Sequence, residues 1–389
     1  MRQKFLYLGI SALLSACGPA QDDTEVTGAL SQALVLPTAA VMLGDSFGSG
    51  EAADSGGTDY LGAFTIPGTT HVVPASNAPG NYCHRSRKAS IFTAALPGIS
   101  ARFNLACSGA ETKDIANPNT QYNEPAQLSH LAAVARSHDI KLVVLSIGGN
   151  DLGFADFLTE CMKKFALDAV NPFGGNGCTA SDMPGSSTYD AMESKVSDAI
   201  ANIRATLRAA GKADSSYRLI VQSYPSPLPA QYADPYHEKC SLGICQRDTK
   251  WVFPGLATDR FGTPGCPFHE ETGRSFIAAS LEASRRLASV ASRNNAEFLA
   301  LHNSLTGYAR CERSSLSEPA ITGMLHADNS VWQNILRTGN AGTKAFNIFQ
   351  ESMHPNLRGH QMLGRCLGSA FSSSLQSKSC TTSGSVVAY

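Results

Sequence analysis

The sequence predicts an α/β fold, with a central parallel β-sheet covered by helices on both faces. The first observation is a set of short apolar segments typical of buried strands: 141–147, 218–222 and 297–301. The second is that segments with helical spacing of apolar residues alternate with them, at 126–137, 192–207 and 274–293. Strands that alternate with helices are typical of parallel sheets. No composition break or internal repeat indicates a second core, so we expect one domain.

The N-terminal 33 residues are expected to lie outside this domain. A positively charged start and an apolar run over 5–14 are typical of a secretory signal, too short to span a bilayer. The run ends in Leu14-Ser15-Ala16-Cys17, which resembles a bacterial lipobox. The resemblance implies a lipoprotein signal peptide over 1–16 and a lipid-modified Cys17 that anchors an exported protein to a membrane. The alternative is a freely secreted protein. Residues 17–33 are polar and predict a tether, which leaves 34–389 as the folded domain.

The first two strands of the domain each end in glycine. An apolar run over 34–43 ends at Gly44, and the strand over 141–147 ends at Gly148 and Gly149. A helix follows, with apolar residues from Met192 to Leu207 at spacings of three and four, and Gly211 is placed to end it. The stretches 156–190 and 225–272 are rich in Gly, Pro, Asp and Cys and predict long loops held by disulfides.

The charge and cysteine content limit the classes of partner and the cellular compartment that we expect. Lys and Arg total 31 against 32 Asp and Glu, which argues against nucleic acid as a partner. The cysteines number 11, an odd count. With Cys17 assigned to lipid, the other ten are disulfide candidates in an oxidising compartment. The chain contains no C-x₂-C pair, the spacing typical of zinc sites, and we expect no metal. These candidates are Cys83, Cys107, Cys161, Cys178, Cys240, Cys245, Cys266, Cys311, Cys366 and Cys380.

A candidate nucleophile follows the first strand, in Gly44-Asp45-Ser46-Phe47-Gly48. Ligands of open α/β sheets bind beyond the carboxyl ends of the strands, so Ser46 is suitably placed. The pentapeptide fits the G-x-S-x-G elbow of α/β-hydrolases. That elbow normally follows several strands and an upstream oxyanion loop, and neither is present here.

The same residues better resemble the opening block of the SGNH (GDSL-type) hydrolase superfamily, particularly its secreted actinobacterial lipases and esterases. Three further blocks follow in family order: 82–86 with 106–110, 147–151, and 354–360. The resemblance implies a three-layer α/β/α flavodoxin-like SGNH hydrolase fold with disulfide-stapled loop insertions. It further implies Ser46 as nucleophile, His354 as base, and Gly109 and Asn150 as oxyanion-hole residues.

The chemistry of these residue types agrees with those roles. A serine hydroxyl becomes nucleophilic when an imidazole takes its proton. The oxyanion then needs donors, which the Ser46 and Gly109 N–H groups and the Asn150 amide can supply. The family places Asp three residues before the histidine, whereas this chain has Glu351. Either the Glu351 carboxylate or its backbone carbonyl then orients His354, and the sequence leaves both open.

The resemblance also bears on the cysteines, because the similar lipases bridge the pair equivalent to Cys83 and Cys107. We expect Cys161–Cys178 as a further bridge, and Cys366–Cys380 to hold the C-terminal tail. Cys240, Cys245, Cys266 and Cys311 allow three pairings, which stay open.

Together these observations predict a monomeric, membrane-tethered serine esterase or lipase that needs no cofactor and hydrolyses acyl esters of lipids or small alcohols. An acyltransferase or a carbohydrate deacetylase on the same site is an alternative. A catalytically silent, ligand-binding surface lipoprotein is the alternative from a different class.

Overall fold

A computed structural model of the chain describes the central sheet and the helices around it. The described residues are 35–53, 60–76, 80–154, 156–157, 160–161, 180–228, 239–241, 244–246, 270–309, 320 and 353–389. Contacts group Leu36–Tyr389 into one compact unit. The predicted signal peptide, Cys17 and the rest of the tether lie outside the described residues. No helix within the described ranges is long and apolar enough to cross a membrane.

The main sheet has seven strands in the order β11-β10-β9-β6-β5-β1-β4. Its strands are β1 (Thr38–Gly44), β4 (Ala101–Asn104), β5 (Asp139–Ser146), β6 (Arg218–Gln222), β9 (Glu297–Ala300), β10 (Ser377–Cys380) and β11 (Val386–Ala388). All neighbouring pairs are parallel except β10 with β11. Two small antiparallel pairs lie outside this sheet: β2 (Phe64–Thr65) with β3 (Val72–Val73), and β7 (Lys239–Ser241) with β8 (Ile244–Gln246).

The order of the first five parallel strands is the flavodoxin-like order, with β1 between β4 and β5. The chain leaves β1 toward one edge of the sheet to form β4, then returns to the other side of β1 to form β5. The loops after β1 and β5 therefore part at this switch point and leave a crevice, where open α/β sheets bind ligands. The predicted α/β fold is confirmed.

Helices cover both faces of the sheet and make three layers. They are α1 (Ser46–Ser49), α2 (Ser90–Thr93), α3 (Lys113–Ala116), α4 (Gln127–Ser137), α5 (Ser186–Ala209), α6 (Glu270–Arg293) and α7 (Leu357–Ser372). Alternate residues of β1 enter opposite cores: Val41 packs in the cluster that includes α4, α5 and α6 side chains, and Met42 in the cluster of α2 and α7. A strand buried on both faces reads as a continuous apolar run, which explains the pattern seen in the sequence.

The sequence pattern misses β4, the C-terminal strands and helix α7. Strand β4 is four residues long and half polar, too short for a periodic signal. Lys378 of β10 is buried, and its Nζ donates a hydrogen bond to Glu297 Oε2 at 2.5 Å, which compensates the buried charge. Helix α7 contains three glycines, which lower helix propensity but permit close packing. A Cβ on Gly364 would lie 2.1 Å from Thr93 Oγ1.

Two of the expected disulfides are present, Cys83–Cys107 and Cys366–Cys380. Cys161 is also disulfide-bonded, while its expected partner Cys178 lies outside the described residues. Cys240 and Cys245 occupy paired positions in the hairpin of β7 and β8. Cys266 and Cys311 lie outside the described residues, so the pairing of these four cysteines stays open.

Candidate active site

Ser46 lies in a sharp turn from β1 into helix α1. Gly44 has a φ of +131°, and a Cβ there would lie 1.8 Å from the Ser146 carbonyl oxygen, so only glycine fits. Asp45 caps α1, its Oδ1 accepting the Phe47 N–H at 3.1 Å. Ser46 is the first residue of the helix, where backbone N–H groups have no intrahelical acceptor. The Ser46 N–H is therefore not used by a hydrogen bond within the helix.

His354 meets Ser46 across 308 residues of chain, with His354 Nε2 2.7 Å from Ser46 Oγ. Ser46 is only 7% exposed, whereas His354 is partly exposed. Solvent therefore reaches the pair from the histidine side. The Phe47 ring packs on the His354 ring with centroids 4.9 Å apart. Met353, just before the histidine, has a φ of +64°, a strained conformation for a residue with a side chain. Such strain is typical of functional sites.

Asn150 contacts the loop that carries Gly109. Asn150 Nδ2 donates to the Ala110 carbonyl at 2.9 Å. Asp151 accepts the Thr112 N–H at 2.9 Å and its hydroxyl at 2.7 Å, which joins the same two loops a second time. Gly109 has a φ of +75°, a conformation that glycine adopts freely. This bond uses one hydrogen of the Asn150 amide, and an NH₂ group has two.

The loop that carries Gly109 rests on a buried ion pair that the sequence did not indicate. Arg85 is fully buried, its Nε donates to the Ala106 carbonyl at 2.8 Å, and its guanidinium pairs with Glu124. Glu124 also accepts from Asn81 Nδ2 at 2.6 Å and from His130 Nε2 at 3.0 Å. Burial alone would raise the pKa of Glu124, but the hydrogen bond from His130 and the charge of Arg85 lower it. The carboxylate is therefore held ionised beneath the loop.

Gln127 fixes the nucleophile turn from the other side. Its amide forms a two-way contact with Gly44, accepting the Gly44 N–H at 2.8 Å and donating to the Gly44 carbonyl at 2.8 Å. Cys107 N–H donates to the same carbonyl at 2.9 Å. The ends of β1 and β4 are thereby held together where Ser46 and Gly109 begin their loops. A glutamine at the start of α4 carries no sequence signal for this role.

A second buried acid lies one turn beyond the nucleophile. Both Glu51 carboxylate oxygens lie 2.9 Å from His84 Nδ1, and the Tyr60 hydroxyl donates to Oε1 at 3.3 Å. Burial raises the pKa of Glu51, but the charge and hydrogen bond of His84 and the charge of His354 outweigh it, so the pKa is lowered. Glu51 is therefore ionised at neutral pH and contributes negative potential near His354.

Asp45 behaves in the opposite way. It is 1% exposed, and burial raises its pKa to about 7 despite hydrogen bonds from Tyr224 and Phe47. The acid directly before the nucleophile is thus poised between its charged and neutral forms near neutral pH. A perturbed acid in a cleft is a common feature of functional sites.

Glu351, the predicted third member of the triad, lies outside the described residues. The structure places His354 against Ser46 and Asn150 against the loop that carries Gly109. The choice between the Glu351 carboxylate and its carbonyl stays open. Within the described part of the chain, no cluster of three or more His, Cys, Asp or Glu side chains could hold a metal ion.

The chain is similar to known lipases. It is 31% identical to Lipase 1 of Streptomyces coelicolor over 206 residues, covering 51% of this chain and 62% of that protein. It is 32% identical to a lipase of Streptomyces rimosus over 136 residues, 35% of this chain and 38% of that one. The matched region thus spans less than two thirds of either relative. No protein-family model matches the chain.

Solved structures with similar folds include the extracellular lipase of Streptomyces rimosus, at 20% identity and a TM-score of 0.43 over 83% of this chain and 94% of that one. Phospholipase A1 of Streptomyces albidoflavus matches at 18% identity and a TM-score of 0.46, over 84% and 95%. The sequence similarity to lipases, the four blocks in order and the switch-point site together support the resemblance to SGNH hydrolases.

Proposed function

We propose that the protein is a serine esterase or lipase that hydrolyses carboxylic acyl esters of lipids or small alcohols. The observation that carries this proposal is the 2.7 Å contact between His354 Nε2 and Ser46 Oγ at the switch point of the sheet. A serine and an imidazole in this geometry are suited to nucleophilic attack on an ester carbonyl. Both relatives in the sequence comparison are lipases.

In the proposed reaction, Ser46 Oγ attacks the carbonyl carbon while His354 Nε2 accepts the hydroxyl proton. The reactive tautomer of His354 therefore carries its own proton on Nδ1. Negative charge develops on the carbonyl oxygen, and the Ser46 N–H, the Gly109 N–H and the Asn150 amide donate to it. Each such donor contributes roughly 3–4 kcal/mol to transition-state stabilisation.

Collapse of the tetrahedral intermediate breaks the ester C–O bond, and His354 returns its proton to the departing alcohol. Water then attacks the acyl group on Ser46, with His354 again accepting a proton, and releases the carboxylic acid. Glu351 is our candidate for orienting His354 through its carboxylate. None of these steps calls for a metal or an organic cofactor.

The test compares two buried serines of the same short helix. Ser46→Ala removes the nucleophile, whereas Ser49→Ala removes a hydroxyl that donates to the Ser46 carbonyl at 3.1 Å. We expect Ser46→Ala to lose hydrolysis of p-nitrophenyl acetate and butyrate by at least roughly 10⁴-fold. It should also lose covalent labelling by a fluorophosphonate. Ser49→Ala should retain both within a few-fold.

Equal turnover by wild type and Ser46→Ala would refute the proposal that the protein is a serine esterase, and would favour a ligand-binding role. Product analysis with an added alcohol separates hydrolysis from acyl transfer, because an acyltransferase would form a new ester in preference to the free acid.

We further propose that Cys17 carries a lipid after removal of residues 1–16 and anchors an exported monomer to a membrane. The lipobox resemblance supports this proposal. Phase partitioning in Triton X-114 tests it: wild type should enter the detergent phase and Cys17→Ser the aqueous phase. If both partition alike, the anchor is absent.

A further inference from the structure

The Tyr224 hydroxyl joins the turn that carries Ser46 to the turn that carries Asn150. Tyr224 follows β6, two residues beyond its end at Gln222. Its hydroxyl accepts the Gly149 N–H at 2.8 Å and donates to Asp45 Oδ2. Gly149 directly precedes Asn150, and Asp45 directly precedes Ser46. One side chain from a third strand therefore spans the crevice floor between two groups of the proposed mechanism.

This link has a fixed direction. The Gly149 N–H can only donate, so the tyrosine oxygen accepts from it and the tyrosine proton points to Asp45. Burial, followed by the charge of Asp45, raises the pKa of Tyr224 well above its usual value, so the hydroxyl keeps its proton. Asp45 uses its other oxygen to cap α1 at Phe47. The spacing of both turns is thereby set by one hydroxyl.

Packing restricts Tyr224 to this position. A Cβ on Gly149 would lie 3.0 Å from the tyrosine Cζ, so glycine is needed for the ring to pass. On its other side the Phe47 ring packs edge-on at a centroid distance of 5.0 Å. Phe47 in turn contacts the His354 ring. The tyrosine thus lies behind the nucleophile, the base and the asparagine, and donates to none of them.

We propose that Tyr224 is a positioning residue that sets the distance between Ser46 and Asn150 by hydrogen-bonding Asp45 and Gly149 at once. The inference rests on the proposed function. The two hydrogen-bond partners of the hydroxyl, Asp45 and Gly149, are neighbours of the reacting groups in the chain. The hydroxyl acts by holding the oxyanion donors at the spacing that the tetrahedral intermediate requires, which substrate binding does not need. Its loss should therefore lower kcat and leave KM nearly unchanged.

The test is Tyr224→Phe, which keeps the ring and its packing and removes only the hydroxyl. Tyr217→Phe is the matched control, because Tyr217 directly precedes β6, is also buried, and its hydroxyl donates to Asp214 at 3.3 Å. We expect Tyr224→Phe to lower kcat for p-nitrophenyl butyrate by 10- to 100-fold with KM within about threefold. Fluorophosphonate labelling should slow by a similar factor. Tyr217→Phe should match wild type in both assays.

A second variant keeps the proposal testable if Tyr224→Phe does not fold. Asp45→Asn alters the same link from the other side. It retains an oxygen for the Phe47 N–H but puts an NH₂ donor where the tyrosine proton needs an acceptor, so it should show the same fall in kcat. Circular dichroism reports whether both variants fold. If they do, the double variant should lose no more activity than the less active of the two single variants, because both changes affect one link. Fully additive losses would overturn the proposal.

Unchanged kcat in Tyr224→Phe would also overturn it. That result is distinct from failure of the proposed function, which shows as turnover that survives Ser46→Ala. If Ser46-dependent turnover is intact and Tyr224→Phe raises KM alone, Tyr224 contributes to substrate binding and the positioning role is wrong.

Discussion

Gly109→Ala tests the oxyanion loop with an internal control elsewhere in the chain. Gly109 and Gly98 have nearly the same φ, +75° and +77°. An alanine in this left-handed region costs roughly 1–2 kcal/mol, and a stiffer unfolded chain returns roughly 0.4–1 kcal/mol of stability, so each variant should lose about 1 kcal/mol. The two sites differ in surroundings. A Cβ on Gly98 meets nothing within 4 Å, and on Gly109 it lies 3.3 Å from the Tyr122 hydroxyl oxygen.

The contact with Tyr122 is tight enough that the Gly109 loop or the tyrosine must move by a few tenths of an ångström. Tyr122 is 8% exposed and packs against Tyr82, so we expect the loop to move. An oxyanion donor that loses its alignment costs up to about 3–4 kcal/mol, and a partial shift should cost a tenfold to hundredfold fall in kcat. Gly98→Ala should keep wild-type kcat.

The assay is ester hydrolysis at saturating substrate, with the free energy of unfolding measured by urea denaturation. Both variants should unfold within about 1 kcal/mol of each other. If Gly109→Ala keeps wild-type kcat, or if both variants lose activity in parallel with stability, the Gly109 N–H does not serve as an oxyanion donor.

Three further outcomes follow from the same site. Asn150→Ala should lower kcat by roughly 10²–10³-fold, while losing only about 1 kcal/mol of stability for its bond to Ala110, as kinetics and urea denaturation report. The pKa of Glu124 is lower in the folded protein than its unfolded value of 4.5, so its ionisation stabilises the fold above pH 4.5, and this stability is lost as pH falls through the folded pKa. Glu124→Gln should therefore reduce the fall in the free energy of unfolding on the acid side. Urea denaturation at a series of pH values measures this. Replacing both cysteines of the Cys83–Cys107 disulfide, with a separation of 24 residues, should cost about 3 kcal/mol and much of the activity. The same change at Cys366–Cys380 should cost similar stability and spare kcat, and equal activity losses would contradict the role of the first bridge.

The sequence predicted the parts of the fold that carry a strong local pattern. Segment 218–222 matches β6 residue for residue, because its three central residues, Leu219, Ile220 and Val221, are apolar and buried. Helix α5 was found from its apolar spacing, although it begins at Ser186, before the first periodic residue. Strand β4 and helix α7 were missed because their residues are stabilised by tertiary contacts. Glycines at close approaches in α7 weaken the local helix signal that prediction depends on.

The site shows the same division between reacting groups and their supports. Ser46 and His354 follow from short motifs whose residue types are dictated by chemistry. The groups that hold them do not, because a support is defined by its partner in space: Gln127 reaches Gly44 across 83 residues, and Tyr224 reaches Asp45 across 179. Asp45 shows why this matters, since beside the nucleophile it reads as a turn residue. Only its burial and its bond to Tyr224 identify it as the point where the nucleophile turn is tied to β6. A change at Tyr224 should therefore alter catalysis even though Tyr224 lies in none of the four motifs.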